Sequence, residues 1–486
     1  MLPALSLFSK SIHRVFKSGV LPDKIAIALS GGVDSVVLLD LILKYKSENN
    51  IKTEIHALTI DHRLRLNSNK EAQQVSKMLN HSILKHHIIP ITATIKKNQI
   101  ENDARKWRYK LFKEYCDEHS IKHIFMGHHK DDQLETFAMR LKDNSSIFGL
   151  AGMNILSTFP IPSPSPIFTI RPLLNIYKSD IYNYANINNL KWFEDPTNKD
   201  PLLTQRNALR DLLKKNPLLK KKIEILHGKV FSTVSDINNN INKIKNLIEI
   251  DVDDKLGCIS LTIPIDLLKF YHPLLFDRLL FQLSYQVSST DKHAYRFSLF
   301  DSKYSTTVDK EGKSLTETML SVINFWKKMH LTLSNCTIKF YHLNEKGQCK
   351  GQGIGNSNKI KIEIFKQKES RKKRETLKFK SNINYDNWIY FDNRFFFKFK
   401  TNAKKNFRLQ NYNNDEHKEI CKPIKDSFGS LKVASEYSIP ILIDNETNKF
   451  VGFPTLKYFP NDKIVQNCQF LLKPNILVPV EKPLTK

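Results

Sequence analysis

The chain has 486 residues, 41% of them hydrophobic, and a formal charge of +27 from 76 lysines and arginines against 49 aspartates and glutamates. Mean hydropathy is −0.39, and no apolar stretch reaches the roughly 18–20 residues that span a bilayer, which excludes a helical membrane protein and points to about three soluble domains. The six cysteines, at 116, 258, 336, 349, 421 and 468, include no Cys-x-x-Cys pair, which argues against a disulfide scaffold, a zinc ribbon or an iron–sulfur site and fits a reducing cytoplasm. Residues 1–20 show no long apolar core or small-residue cleavage site, so an unexported protein is expected. The positive excess is costly in self-repulsion unless a polyanion is near, and nucleic acid is the usual one. A Lys-, Asn- and Ile-rich composition of the kind AT-rich coding produces would also raise it.

In chain order, Lys24–Leu29 predicts a buried parallel strand and Val36–Leu43 the start of a helix. Between them stand Ser30-Gly31-Gly32-Val33-Asp34-Ser35. A strand, a Gly-Gly turn flanked by hydroxyls and a helix N-terminus make a phosphate cradle, because glycine lets the backbone approach an anion and the helix end offers unpaired N–H groups. Asp34 would repel a phosphate directly, so its expected use is to hold Mg²⁺ against one. A turn that merely needs glycine would not account for the whole hexapeptide. The loop lacks the Walker A lysine, and Gly312-Lys313-Ser314 has Thr307 where the first glycine belongs, so that match is chance.

Glu54–Ile60, Ile83–Ile89 and His123–Gly127 predict three further strands, with helices over Lys70–Leu79, Glu101–Glu118 and Asp131–Lys142. This is a doubly wound α/β pattern, in which ligands sit at the carboxyl ends of the strands. The second strand ends in Asp61-His62, where an adenine or ribose would rest. The helix from Glu101 puts Arg105 and Arg108 on one face, with Tyr109 four residues from Arg105. The fourth strand ends in Gly127-His128-His129-Lys130-Asp131-Asp132-Gln133-Leu134-Glu135. Asp132 and Glu135, three apart, share a helix face and could hold a metal or a substrate ammonium. Acids complementing the helix dipole, with Asp131 as cap, account for one of the three carboxylates.

Four prolines between Pro160 and Pro166 end the regular pattern. Arg171–Leu174 and Ile176–Leu190 then read as a strand end and a helix, and Asn207 to about Trp326 as mostly helical. Thr337–Ile364 is β-like. Lys366–Lys380, with Arg371-Lys372-Lys373-Arg374 at its centre, is either a solvated linker or an RNA contact. Short strands are expected at Ile439–Ile443 and Phe450–Phe453.

The hexapeptide resembles the PP-loop of the ATP pyrophosphatases. The series continues with Asp61-His62-x-Leu64-Arg65, Glu101-Asn102-x-Ala104-Arg105-x-x-Arg108-Tyr109 and Gly127-His128-His129-x-Asp131-Asp132-x-x-Glu135-Thr136. Gly149-Leu150-Ala151-Gly152-Met153, Arg171-Pro172-Leu173-Leu174, Asp195-Pro196-Thr197-Asn198 and Arg206-Asn207-x-x-Arg210 follow. Together these resemble the tRNA(Ile)-lysidine synthetase family, densely from Ile25 to Arg210 and faintly again from Phe428 to Pro454.

The resemblance implies a doubly wound parallel-sheet ATP-binding catalytic domain at 1–205 and a mostly helical tRNA-binding domain at 206–335. A β-like segment with basic linker at 336–384 and a small α/β or β-rich tRNA-binding domain at 385–486 would follow. It implies a cytoplasmic enzyme using ATP and Mg²⁺ to adenylate the C2 carbonyl of the wobble cytidine in a CAU-anticodon tRNA(Ile) precursor. Free L-lysine would then displace AMP through its ε-amino group. Ser30, Gly31, Gly32, Val33, Asp34, Ser35, Asp61 and His62 would bind the nucleotide, with Asp34 on the metal. Asp34, Asp132 and Glu135 would be catalytic, and Arg105, Arg108, His128, Arg206 and Arg210 would bind substrate or tRNA. A homodimer stays open.

The chain departs from the family at Lys142–Phe148, where members carry a basic, glycine-containing stretch. A tRNA thiolase of the same superfamily is the nearest rival, but it needs sulfur delivery, commonly through paired cysteines. An amide-forming synthetase would leave the charge unexplained, and a silent tRNA-binding protein would not need Asp34, Asp132 and Glu135 intact.

Overall fold

The computed structural model describes residues 3–61, 63, 68–79, 84–92, 100–194, 204–290, 329–333, 335–343, 358–368, 376–380, 388–400, 406–417, 435–460, 465 and 467–474. The chain divides into two compact units, Met1–Asp236 and Ile237–Val478. In the first, α1 (Pro3–Val15) precedes β1 (Lys24–Ala28), α2 (Val33–Glu48), β2 (Glu54–Asp61), α3 (Ser68–Lys77), β3 (Lys85–Pro90) and α4 (Ile100–Glu118). Then come β4 (His123–Phe125), α5 (Lys130–Lys142), α6 (Ile147–Leu150), β5 (Leu156–Thr158), β6 (Phe168–Ile170), α7 (Lys178–Ile187) and α8 (Gln205–Lys215). The long α9 (Pro217–Leu247) crosses the boundary between the units.

The strands form one sheet in the order β3-β2-β1-β4-β6-β5, parallel except for β5. β1 lies inside because its residues are apolar on both faces. Ile25 and Ile27 face a core built from Phe8 and Ile12 of α1, Val37, Leu38, Leu41 and Ile42 of α2, and Ile181 and Tyr184 of α7. Ala26 faces the opposite core, with Tyr109, Phe112 and Tyr115 of α4. Each valine, leucine, isoleucine or phenylalanine among these contributes about 1.5–3 kcal/mol when fully buried. The helix α1, which the sequence reading did not place, exists because Phe8, Ile12 and Val15 recur on one face and are buried.

The chain winds outward from β1 to β2 and β3, then returns to β4 on β1's other side. Such a reversal opens a crevice at the carboxyl ends of the two central strands. Gly127, just past β4, makes the crevice tight: a Cβ there would stand 3.1 Å from the Asp34 backbone.

Near the outer strands, His56, His87 and His119 cluster around Tyr115, with His56 between Tyr115 Oη at 2.8 Å and Glu54 Oε1 at 2.6 Å. Burial lowers His56 and His87, and it pushes His123 down to about 4. In the unfolded chain these rings take up protons near pH 6.5, and in the fold they refuse them until lower pH. Their contribution is therefore complete above about pH 6.5 and is lost as pH falls below it. The melting temperature should fall between about pH 7.5 and about pH 5. An equal or higher value at the acid pH would show these rings do not govern stability.

The second unit begins with β7 (Glu249–Asp253), β8 (Cys258–Pro264), α10 (Ile265–Phe270) and α11 (Pro273–Val287). It continues with β9 (Met329–Leu333), β10 (Cys336–His342), β11 (Lys359–Lys366), β12 (Thr376–Lys380), β13 (Ile389–Phe391) and β14 (Phe395–Lys400). β15 (Asn406–Asn411), β16 (Pro440–Asp444), β17 (Phe450–Gly452) and β18 (Asn467–Leu472) complete it. Three antiparallel sheets result, β7-β8-β11-β10-β9, β12-β15-β16-β17 and β13-β14-β18.

The β7–β8 hairpin lies in a stretch that helical spacing alone did not separate. Ile259, Leu261 and Ile263 are buried at every second position, the strand period. The basic run also divides. Lys366 closes β11 and is 1% exposed, its Nζ 2.6 Å from Asp392 Oδ1, so it is neither linker nor RNA contact. Arg371–Arg374 lie outside the described residues.

Candidate active site

The loop after β1 turns because Gly31 takes φ +82°, a region that costs other residues a Cβ clash. Its would-be Cβ lies 2.4 Å from Val75 Cγ2, so the position excludes a side chain twice over. Gly32 differs: it has φ −72°, and its nearest neighbour is Ser30 Oγ at an ordinary 3.5 Å. Ser35, 5% exposed, ties the turn together. Its Oγ donates to Gly32 O at 2.9 Å, accepts from Ser30 N at 3.2 Å and lies 3.2 Å from Ser30 Oγ. The Gly32 side supplies no side-chain cap to α2, so the first turn of the helix keeps donors for an anion. Gly31→Ala is therefore expected to weaken nucleotide binding at least about tenfold, from about 1–3 kcal/mol of backbone strain plus the Val75 clash. Gly32→Ala should cost markedly less. Equal losses in a nucleotide titration would show that the turn's conformation is not the limiting feature.

Asp34, in the first turn of α2, accepts Lys178 Nζ on both carboxylate oxygens, each at 2.6 Å. His129 bridges from this point to the next element: its Nε2 lies 3.7 Å from Asp34 Oδ1 and 3.4 Å from Asp132 Oδ2. His129 also caps α5, accepting from Asp132 N while its own N–H donates to Asp132 Oδ2 at 3.0 Å. Asp131 accepts Lys178 N at 2.8 Å and pairs with Lys220 of α9.

Asp132 and Glu135 do share one face of α5, and the cations on them are Arg206 and Arg210 of α8. Arg206 Nη2 donates to Asp132 Oδ1 at 2.7 Å and its Nε to Glu135 Oε2 at 2.7 Å. Arg210 donates Nε to Oε1 at 2.7 Å and Nη2 to Oε2 at 3.0 Å of the same Glu135. Burial would raise the Asp132 carboxyl, but His129 and Arg206 outweigh it and hold it low. Burial works against the Arg206 guanidinium, and Asp132 and Glu135 reverse that. For Arg210 the Glu135 bond comes first, and Asp34 adds to it.

His128 stands on a more cationic side. Burial and then Arg171 push it down to about 3, so the ring is neutral, and its buried Nδ1 has no hydrogen-bond partner among the described residues. Arg171, 8% exposed, donates to Asn154 O at 3.1 Å and Ser157 Oγ at 2.8 Å, and burial pushes it down to about 10. Arg105 and Arg108 lie over the Tyr109 ring at 5.2 and 5.5 Å. Asp61 ends β2, 3% exposed, and accepts Arg63 N at 3.1 Å. His62 and the Asp195–Asn198 motif lie outside the described residues.

The structure thus brings together the Ser30–Ser35 loop, His128, His129, Asp132, Glu135, Arg206 and Arg210. Arg108 and Arg206 are within electrostatic reach of His128. Lys178 and Lys220 were missed. Lys178 did leave a signal: a lysine opening a helix opposes the helix dipole, so some other charge must hold it there. The Lys142–Phe148 stretch is spanned by Arg140, whose Nη1 donates to Gly149 O at 2.5 Å and Gly152 O at 3.4 Å.

A parallel sheet whose central strand delivers a glycine-turn cradle, with carboxylates arriving from the neighbouring strand's end, defines a PP-loop domain, and the PP-loop domain family model matches residues 5–216. The tRNA(Ile)-lysidine synthase of Orientia tsutsugamushi (strain Boryong) is 37% identical over 228 residues, 45% of this chain and 50% of that protein. The protein of that name from Wolbachia sp. subsp. Brugia malayi (strain TRS) is 31% identical over 322 residues, 66% of this chain and 69% of that protein. The chain belongs to the tRNA(Ile)-lysidine synthase family. It spans only half the length of the Orientia relative. Among solved structures, the U34-tRNA thiolase NcsA from Methanococcus maripaludis with its [4Fe-4S] cluster aligns over 47% of this chain and 80% of that one, at a TM-score of 0.36 and 17% identity. A likeness that distant carries no argument about this chain.

Proposed function

We propose that the chain ligates free lysine to C2 of the wobble cytidine of a CAU-anticodon tRNA(Ile) precursor, consuming ATP and giving lysidine, AMP and pyrophosphate. One observation carries this reading: a single imidazole, His129, joins the phosphate cradle at Asp34 to the acidic face at Asp132. The nucleotide's α-phosphorus and an incoming amine can then meet at one base.

In the first step the cytosine C2 oxygen attacks the α-phosphorus and pyrophosphate leaves. In the second, the lysine ε-nitrogen, once deprotonated, adds to C2 and AMP leaves with the oxygen. Ser30–Ser35 hold the β- and γ-phosphates, Asp61 serves the adenosine, and Asp132 and Glu135 receive the lysine. Arg105, Arg108 and the neutral His128 face the RNA, with His128 offering a hydrogen bond rather than a charge. The basic middle and terminal regions extend the RNA contact.

Magnesium fits as an ion shared with phosphate. The Asp34 carboxylate is a hard oxygen donor beside the cradle and already holds one cation, Lys178. Among the described residues no group of three or more His, Cys, Asp or Glu could hold a metal unaided. Bound there, Mg²⁺ would neutralise charge on the phosphates.

Cys116 is the one cysteine before residue 258. It is 1% exposed, and burial pushes its thiol up to about 12, so it is no sulfur carrier. The test is incubation of the full chain with ATP, L-lysine and a CAU-anticodon transcript. Lysine-dependent AMP and pyrophosphate are expected. Release of ADP would overturn the reading, and pyrophosphate that requires a sulfur donor instead of lysine would favour a thiolase.

A further inference from the structure

Every oxygen of the acid pair is already used. Asp132 Oδ1 accepts from Arg206 and Oδ2 from His129 N. Glu135 Oε1 accepts from Arg210, and Oε2 from both arginines. An ammonium arriving at this face finds every oxygen already accepting at least one hydrogen bond, most of them from a guanidinium. It also meets like charge first, because the side chains of Arg206 and Arg210 are 32% and 40% exposed while those of Asp132 and Glu135 are 13% and 2% exposed. The face that should take a cation therefore presents cations.

We infer that Arg206 and Arg210 close the lysine seat in the nucleotide-free enzyme and that the polyphosphate of the nucleotide opens it, so that nucleotide binds before lysine. This rests on the proposed function, which places lysine at Asp132 and Glu135.

The exchange is built from groups within one side chain's reach. His129 touches both Asp34 at the cradle and Asp132 on the acidic face, and Arg210 senses the charge of Asp34. A polyphosphate seated on Ser30–Ser35 brings several negative charges to the Asp34 side of this cluster, where Arg210 already lies within electrostatic reach. A guanidinium's planar fork matches phosphate oxygens as well as it matches a carboxylate. Arginines drawn to phosphate leave Asp132 and Glu135 with free oxygens and an unpaired negative charge, the state that attracts an ammonium. The same arrangement guards against a wasteful encounter, since an amine binds only weakly before there is a nucleotide to activate the base.

The test is calorimetric titration of L-lysine into the full chain, alone and saturated with an α,β-methylene ATP analogue that cannot release pyrophosphate. Lysine should bind at least about tenfold more tightly with the analogue, and by linkage lysine should tighten the analogue by the same factor. Arg206→Gln, and separately Arg210→Gln, should strengthen lysine binding to the nucleotide-free protein and bring the ratio towards one. The wild-type ratio stands as a test even if a variant misfolds. Equal lysine affinity with and without the analogue would overturn the inference. So would tightening by the RNA transcript alone with none from the analogue, which would make RNA the opener. A chain that turns over lysine yet shows a ratio of one loses only this inference, whereas turnover that ignores lysine removes the function beneath it.

Discussion

Asp34→Ala is expected to lower pyrophosphate release by at least about a hundredfold, the scale seen when one preorganised electrostatic group is removed from a reacting centre. Affinity for nucleotide should persist or rise. In the intact site Lys178 Nζ spends its charge on both Asp34 oxygens at 2.6 Å. Without the carboxylate that ammonium turns to the phosphates, and the cradle's N–H groups are unchanged. RNA binding should be kept, because none of the arginines proposed to face RNA is bonded to Asp34 among the described residues. Binding and turnover are thus predicted to part. Turnover equal to that of the unsubstituted chain would refute the metal-holding role of Asp34, and joint loss of nucleotide binding would show that Lys178 does not take over.

Asp392→Asn should cost about 3–5 kcal/mol of folding stability, the scale for removing one partner of a buried ion pair. Asp392 is 1% exposed and neutralises two buried cations: Lys366 Nζ at 2.6 Å and Arg394 Nε at 2.8 Å. Arg394, fully buried, also donates Nη2 to Asn411 Oδ1 at 3.1 Å and Ser438 O at 2.8 Å. The cluster draws on β11, the turn before β14, β15 and the segment just before β16, so it joins all three sheets of the second unit. An asparagine keeps the shape but leaves two charges without an anion in a low-dielectric interior. Burial would raise the Asp392 carboxyl, yet Arg394 and Lys366 hold it low. Its contribution is therefore present above about pH 4, the unfolded range, and is lost as pH falls through the lower folded value. Chemical denaturation followed by circular dichroism measures the cost, and a loss under about 1 kcal/mol would mean that water or a neighbouring group already shares the charge.

The loop and its flanks were legible because their causes are local. The run Lys24–Leu29 is apolar on both faces, as a central parallel strand must be, and the structure forms β1 at Lys24–Ala28. Helix spacing placed Asp132 beside Glu135, one turn apart, and the motif order supplied Arg206 and Arg210 as a second, basic pair. That the second pair would sit on the first was not legible: 71 residues separate Glu135 from Arg206 in sequence, and a basic helix face reads the same whether it meets a phosphate or a carboxylate. Lys366 shows the same limit. In a run of lysines and arginines it looks solvated, and only the return of the chain with Asp392 buries it. The β7–β8 hairpin escaped because short apolar runs fit strand and helix alike until their buried face is known.

By itself, then, the sequence determined the doubly wound first unit, the position of its cradle and the family to which the chain belongs, because strand burial, turn chemistry and motif order are written in neighbouring residues. Only the tertiary structure decided which cation answers each carboxylate: Lys178 for Asp34, Lys220 for Asp131, Arg206 and Arg210 for Asp132 and Glu135, and Lys366 with Arg394 for Asp392. Charges interact through space over a few ångströms, and which of them come that close depends on how distant elements pack.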